Sequence, residues 1–362
     1  MKIKTIIGTA MLCLMLASCG STPAEPEPTT QPATPAPEQT LLDTMTLEEK
    51  VGQILFVRYP DEGELESLMA VNPGGVLMFA RDFDGLTRDE VIAKTANLQS
   101  MSDIPLIIGA DEEGGTVVRI SSNPNLAPEK YKSPQDIYAE GGMEAVVENA
   151  REKSELLLSL GVNMNLAPVA DVSTNPDTYI YKRSFGKGYD ETAEFISETV
   201  TAMRESGIYC VLKHFPGYGE VTGDSHKGEV RNSKSADEIR ATDFVPFKAG
   251  IDAGASCVLV SHNIVEGLDS ENPASLSKDV HEILRNELGF DGVIMTDDID
   301  MGAVNGMENV YIKAVNAGND LLIVTDYKEA YSEILEGVRS GEISMETLNA
   351  AAEHVLRMKG LM

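Results

Sequence analysis

The stretch Ile208-Tyr209-Cys210-Val211-Leu212-Lys213-His214-Phe215-Pro216-Gly217-Tyr218-Gly219-Glu220-Val221-Thr222-Gly223-Asp224-Ser225-His226 carries a fold signal in its first half and chemistry in its second. Ile208 to Leu212 is an apolar run of the length expected for a fully buried parallel strand. It delivers a Lys-His pair at its end, and a Gly-rich loop follows with Asp224 and His226. A rigid platform holding a cation and an imidazole, then a loop holding a second imidazole beside a carboxylate, suits gripping a polar substrate and moving a proton onto it. The chain has five histidines, and two of them lie in this segment. The plainer alternative is a glycine-rich turn with two incidental histidines.

Seven further apolar runs of similar length surround this one: 52–59, 75–80, 106–111, 162–170, 256–262, 292–297 and 320–324. Between them lie segments with helical character, such as 88–99, 144–160, 192–206, 236–253, 279–288 and 327–340. Eight strand–helix alternations without a hairpin signal predict an α/β protein, a single (β/α)8 TIM-type barrel, over a doubly wound sheet. The polar residues agree. Six of the eight runs end in or lead into chemically capable groups: Arg58-Tyr59, Asp111, Asp171, Lys213-His214, Ser261-His262 and Asp297-Asp298. In a barrel these ends converge on one face, where active sites sit. Helix capping by Asp and Ser accounts for one or two of the six.

The N-terminus reads as an export signal over residues 1–18, with Lys2 and Lys4 ahead of a short apolar core, Ile6 to Leu16. Leu16-Ala17-Ser18-Cys19 is similar to a bacterial lipobox, which implies lipid on Cys19 and a protein exported and anchored to the cell membrane, facing the envelope or the exterior. Residues 19–42 are rich in Pro, Thr, Ala and Glu and read as an extended tether. Residues 43–362 remain for the barrel, with no Pro/Ser-rich linker inside them. Cys210 and Cys257 sit in apolar runs and read as small buried hydrophobes. The net charge of −29 deepens to −31 without Lys2 and Lys4, which argues against nucleic acid and against a polybasic grip on lipid. With no evident partner surface, a monomer is expected.

The bond-breaking candidates are Asp297, at the end of Gly-Val-Ile-Met-Thr-Asp, and His226 on its glycine-hinged loop. A carboxylate on a rigid strand end can act as a covalent nucleophile. An imidazole on a loop can swing in with a proton, and Asp224 would orient it and favour its cationic form. Asp111, Arg119, Arg183, Lys213 and His214 read as grips, since carboxylates and cations satisfy sugar hydroxyls through charge-assisted hydrogen bonds. A metal site at Asp111/Glu112/Glu113 or Asp297/Asp298 is the competing reading. Consecutive acids point in different directions and no His-x-x-x-His or His-x-His pair accompanies them, so no metal and no cofactor are expected.

Over nearly all of residues 43–362 the chain resembles a family 3 glycoside hydrolase of the β-N-acetylhexosaminidase type. The motifs are Asp-Glu-Glu-Gly-Gly-Thr-Val-Val-Arg (111–119), Lys-Arg-Ser-Phe-Gly (182–186), Lys-His-Phe-Pro-Gly-x-Gly followed by Asp-Ser-His (213–226), Pro-Ala-Ser-Leu-Ser (273–277) and Glu-Leu-Gly-Phe-x-Gly-Val-Ile-x-Thr-Asp (287–297). The resemblance implies that Asp297 is the nucleophile, that Asp224 and His226 form the acid/base dyad, and that Asp111, Arg119, Arg183, Lys213 and His214 bind the sugar. It implies a retaining enzyme that removes terminal β-GlcNAc from peptidoglycan fragments or chitin-type oligosaccharides. The Asp-x-His loop marks the N-acetylglucosaminidase branch, whereas β-glucosidase members usually draw their acid/base from a Glu elsewhere. Two alternatives stay open: a phosphorylase using the same residues, because an imidazole does not repel an incoming phosphate, and a catalytically silent sugar-binding lipoprotein. Tyr218 stands where relatives commonly carry a second His, and Thr116 where a basic or polar residue is common.

Overall fold

The eight apolar runs form strands whose residues are buried on both faces, as parallel sheets covered by helices require. They are β1 Leu55–Arg58, β2 Gly75–Met78, β3 Ile107–Ala110, β4 Met164–Asn165, β5 Tyr209–Phe215, β6 Cys257–Val260, β7 Val293–Thr296 and β8 Leu322–Val324. In this computed structural model, residues 40–219, 221, 223, 228–304 and 306–362 are described. The expected signal and lipidation site at Cys19, residues 19–39 of the expected tether, and the loop residues Asp224 and His226 lie outside them; the tether's last residues, 40–42, instead cap and begin a short helix, Leu41–Thr44, with Leu42 buried.

Every neighbouring pair is parallel and the order runs β8-β1-β2-β3-β4-β5-β6-β7. A bridge between Met295 and Leu321, with Thr296 N–H donating to the Leu321 carbonyl at 3.1 Å, brings the two ends of the sheet together. The chain therefore folds as the (β/α)8-type barrel that the alternation predicts. Two apolar layers result. One fills the barrel, with Phe56, Leu77, Ile107, Met164, Val211 and Met295 among its members. The other lies between strands and helices. Phe56 takes up the space that Gly75 and Gly109 leave open: a Cβ on Gly109 would stand 2.7 Å from the tip of the Phe56 ring, and one on Gly75 2.9 Å from its side. Cys210 and Cys257 are free and buried, one in each layer.

The strand and helix limits differ from expectation for local reasons. Run 52–59 begins inside a helix, Leu47–Gln53, because Thr46 and Glu49 form a capping box that starts it. Run 162–170 pairs as a strand at Met164–Asn165, since Pro168 has no N–H for the ladder; a bridge from Val169 to Lys213 resumes the pairing. The helix expected at 236–253 is two, Ala236–Ala241 and Phe244–Asp252. Pro246 cannot bond back to residue 242, where the backbone leaves the helical region, but it is tolerated in the first turn of the second helix. The helix expected at 144–160 starts at Pro134, with Ser133 as its cap and a break at Gly142. The helix Val310–Ala317 fills the stretch between β7 and β8, as the alternation expects; the extra helix Met345–Met358 and a small parallel pair, Arg231–Asn232 with Ile264–Val265, were not anticipated.

Candidate active site

The C-terminal strand ends open into a cavity of about 350 Å³. Asp111, Arg119, Arg183, Lys213, His214 and Asp297 all line it, so six of the eight candidate site residues meet there. Asp224 and His226 are outside the described residues. Thr116 stands at the exposed rim. Tyr218 is buried, its ring edge against His214 with centroids 5.4 Å apart.

Lys213, almost fully buried at the end of β5, organises one side. Its Nζ lies 2.7 Å from Asp111 Oδ1 and 2.6 Å from Glu113 Oε1. Arg183 closes the same set with a two-point grip on Glu113, at 3.0 and 2.7 Å. Arg119 reaches Asp111 Oδ2 at 3.3 Å. Burial works against ionising Asp111, but Lys213 and Arg119 outweigh it and hold its carboxyl below the ordinary value. Glu113 is likewise buried, and Arg183 and Lys213 hold it well below the usual carboxylate range. Glu113 still repels Asp111, but the shared cations outweigh that repulsion, and the remaining donors and acceptors are fixed before any substrate arrives.

His214 is held by a residue that the sequence had flagged without a role. Asp171 Oδ2 lies 2.7 Å from His214 Nδ1 and also accepts the His214 backbone N–H, while Oδ1 accepts the N–H of Tyr218. Arg183 Nη2 stands 3.1 Å from His214 Nε2. A guanidinium can only donate, so Nε2 accepts and Nδ1 carries the proton toward Asp171. This fixes a neutral tautomer and the plane of the ring.

The three consecutive acids diverge. Glu112 is fully buried and accepts the backbone N–H groups of Arg119 at 2.9 Å and Ile120 at 2.7 Å, and the Ser121 hydroxyl. It staples the loop that carries Arg119. Glu113 belongs to the ion-pair set and Asp111 to the cavity. Among the described residues no group of three or more His, Cys, Asp or Glu is arranged to hold a metal ion. Lys153, buried on the long helix behind this loop, donates to the Glu113 carbonyl at 2.9 Å, and burial pushes its ammonium down to about 8.

On the opposite side, Asp297 follows β7 and its backbone N–H donates to the Val260 carbonyl at 2.9 Å. Its Oδ1 accepts the N–H of Asp298, also at 2.9 Å. Asp298 is paired with Arg58 from the end of β1, and Arg58 lies over the Phe79 ring, 4.7 Å from its centroid. Burial raises the Asp298 carboxyl to about 6 despite the pull of Arg58. Glu113, Asp171, Arg58 and Asp298 are thus site residues that the sequence reading did not assign. Glu113 lies inside a quoted motif and the other three at strand ends, so position along the chain flagged them; their partners were not visible.

The family model described as glycosyl hydrolase family 3 N terminal domain matches residues 46–358. A beta-hexosaminidase of Mycobacterium tuberculosis, LpqI, is 29% identical over 354 residues, covering 94% of this chain and 90% of the relative. Among solved structures, a glycoside hydrolase family 3 beta-N-acetylglucosaminidase from Paenibacillus superposes with a TM-score of 0.82 at 30% identity, over 88% of this chain and 62% of that one. A beta-glucoside phosphorylase, BglX, superposes at 0.78 with 25% identity, over 88% of this chain and 59% of that one. A parallel barrel with this ion-paired cavity at its strand ends, and a family match over most of its length, place the chain in glycosyl hydrolase family 3: it is a glycoside hydrolase.

Proposed function

We propose that this chain is a retaining β-N-acetylglucosaminidase that removes terminal GlcNAc from cell-wall or chitin-type oligosaccharides. The observation that carries the reading is the placement of Asp297 across one cavity from the locked Asp111–Lys213–Glu113–Arg183 set. Asp111, Arg119, Arg183, Lys213 and His214 grip the sugar hydroxyls. Asp297 attacks the anomeric carbon as the glycosidic bond breaks, and His226, oriented by Asp224, protonates the departing oxygen. A glycosyl–aspartyl ester forms. Water, deprotonated by His226, then cleaves it, and the β configuration is kept. Most retaining enzymes use two carboxylates, so an imidazole is an exception. The names of the hexosaminidase and N-acetylglucosaminidase relatives support the sugar.

Two variants test this. Asp297→Ala should lower kcat/KM on an aryl β-N-acetylglucosaminide by about 10⁴-fold or more; near-wild-type turnover removes Asp297 from the mechanism. His226→Ala should lose far more with a poor leaving group than with dinitrophenolate, which departs without a proton. Equal losses would sink the proton-donor role. The likeness to BglX favours phosphate as a second acceptor. Aryl glycosides of GlcNAc, Glc and Xyl, assayed with and without phosphate, decide between water and phosphate by whether a sugar 1-phosphate accumulates.

Lipid on Cys19, and anchoring at the cell membrane, belong to the same proposal, supported by Leu16-Ala17-Ser18-Cys19. Cys19→Ala should move the protein from the membrane pellet to the soluble or secreted fraction. Retention in the pellet would overturn the anchor.

A further inference from the structure

His262 follows β6 and is 1% exposed. Its Nδ1 lies 2.6 Å from Ser275 Oγ and its Nε2 lies 2.9 Å from the carbonyl oxygen of Asp298. A serine hydroxyl so close to an imidazole is the pattern of a nucleophile and its base, but Ser275 is 0% exposed and, among the described residues, neither side chain is part of the cavity wall. The carbonyl of Asp298 can only accept, so His262 Nε2 carries a proton, and in the neutral ring Nδ1 receives the Ser275 hydroxyl proton.

Both ends of this bridge are anchored. Ser275 N–H donates to the Ser261 carbonyl at 2.9 Å, and the Ser275 carbonyl accepts from Asn319 Nδ2 at 2.8 Å. At the other end, the backbone of Asp298 is held on two sides. Its carbonyl receives both His262 Nε2 and the Met301 backbone N–H, each at 2.9 Å, and its N–H donates to Asp297 Oδ1 at 2.9 Å. A shift of Asp298 therefore shifts the carboxylate that the proposed mechanism uses. We propose that His262 is a positioning residue that fixes the Asp297 carboxylate through the backbone of Asp298, with Ser275 holding the imidazole in the required tautomer. This rests on the reading of Asp297 as the nucleophile. Its physical basis is that a nucleophile must be held in near-attack geometry, and that a displacement of about 1 Å costs on the order of 100-fold in rate.

Two polar variants of similar size separate positioning from mere packing. The amide nitrogen of glutamine falls near the place of Nε2, and that of asparagine near the place of Nδ1. His262→Gln keeps the donor to Asp298; His262→Asn keeps the contact with Ser275 and loses that donor. With a dinitrophenyl β-N-acetylglucosaminide, His262→Gln should stay within about 5-fold of wild-type kcat, and His262→Asn should lose about 100-fold, both with KM nearly unchanged. Equal kcat for the two, or the reverse order, would overturn the proposal. Ser275→Ala is the companion variant should either one fold poorly. It leaves the ring in place with its tautomer unsecured, and a wild-type kcat for it would count against the proposal. Asp297→Ala is run alongside. If it is inactive while both His262 variants match wild type, the positioning role falls and the nucleophile stands; if it is active, both fall.

Discussion

Asp298 sits one residue beyond Asp297, and its behaviour follows from two opposed effects. Burial disfavours its charged form, and Arg58 favours it; burial wins, and the carboxyl rises from 3.8 to about 6. The folded protein therefore holds this proton more tightly than the unfolded chain does. The stability this supplies is fully present below the unfolded value near 3.8, and is lost as the pH climbs through about 6. Asp298→Asn has no such titration. The stability of wild type relative to Asp298→Asn should fall between pH about 4 and about 7 by on the order of 2 kcal/mol. Urea unfolding of the two proteins across that range measures it, and a constant difference would show that Asp298 does not titrate there. At this scale the sequence marked the right positions and left the partners open. Lys213 and Asp111 are 102 residues apart, and Asp171 and His214 are 43 apart. Only closure of the barrel shows that Lys213 is shared between Asp111 and Glu113, or that Asp171 sets the His214 tautomer.

Among the elements, β1, β2 and β3 show how side-chain size sets strand approach. Phe56 projects into the barrel from β1 and packs across Gly75 of β2 and Gly109 of β3. Gly109→Ala places a methyl 2.7 Å from the Phe56 ring and 3.1 Å from Leu166. The ring is confined on the Gly75 side as well and cannot simply move away. The substitution should cost about 1–3 kcal/mol. Phe56→Leu removes the obstruction, so the double variant should lose less than the sum of the two single losses, as a thermal double-mutant cycle reads directly. Strict additivity would mean that the two residues do not share the space. The same scale explains where periodicity misled. The capping box at Thr46 extends a helix into an apolar run, and Pro246 divides a helix that hydrophobicity alone left whole. These are short-range signals that were present in the sequence and outweighed by the length of the apolar pattern.

For the whole molecule, the end of the barrel opposite the cavity is tied together by Asp320. Its Oδ2 accepts from Ile294 N–H at 2.7 Å and from Arg285, and its Oδ1 stands 2.8 Å from His354 Nδ1. Arg285 also donates to the carbonyls of Phe290 and Gly292, at 2.9 and 2.6 Å. One carboxylate thus links β7, the segment before it, the start of β8 and the C-terminal helix Met345–Met358. Asp320→Ala leaves Arg285 without its acid and should destabilise the fold by about 3 kcal/mol. Because the cavity lies at the other end, kcat of the folded protein should stay within about 2-fold of wild type. Unchanged thermal stability would remove the bracket, and a large loss of kcat at constant stability would mean that the two ends communicate. The eight-fold alternation and the clustering of ionisable residues at run ends are local patterns, so the order of residues alone determined a barrel and the face that carries its chemistry. The charge state of each group, the tautomers of His214 and His262, and the linkage of His262 to the Asp298 carbonyl depend on burial and on partners brought from distant parts of the chain. Those the tertiary structure decided, because desolvation and Coulomb attraction depend on distance in space and not on spacing along the polymer.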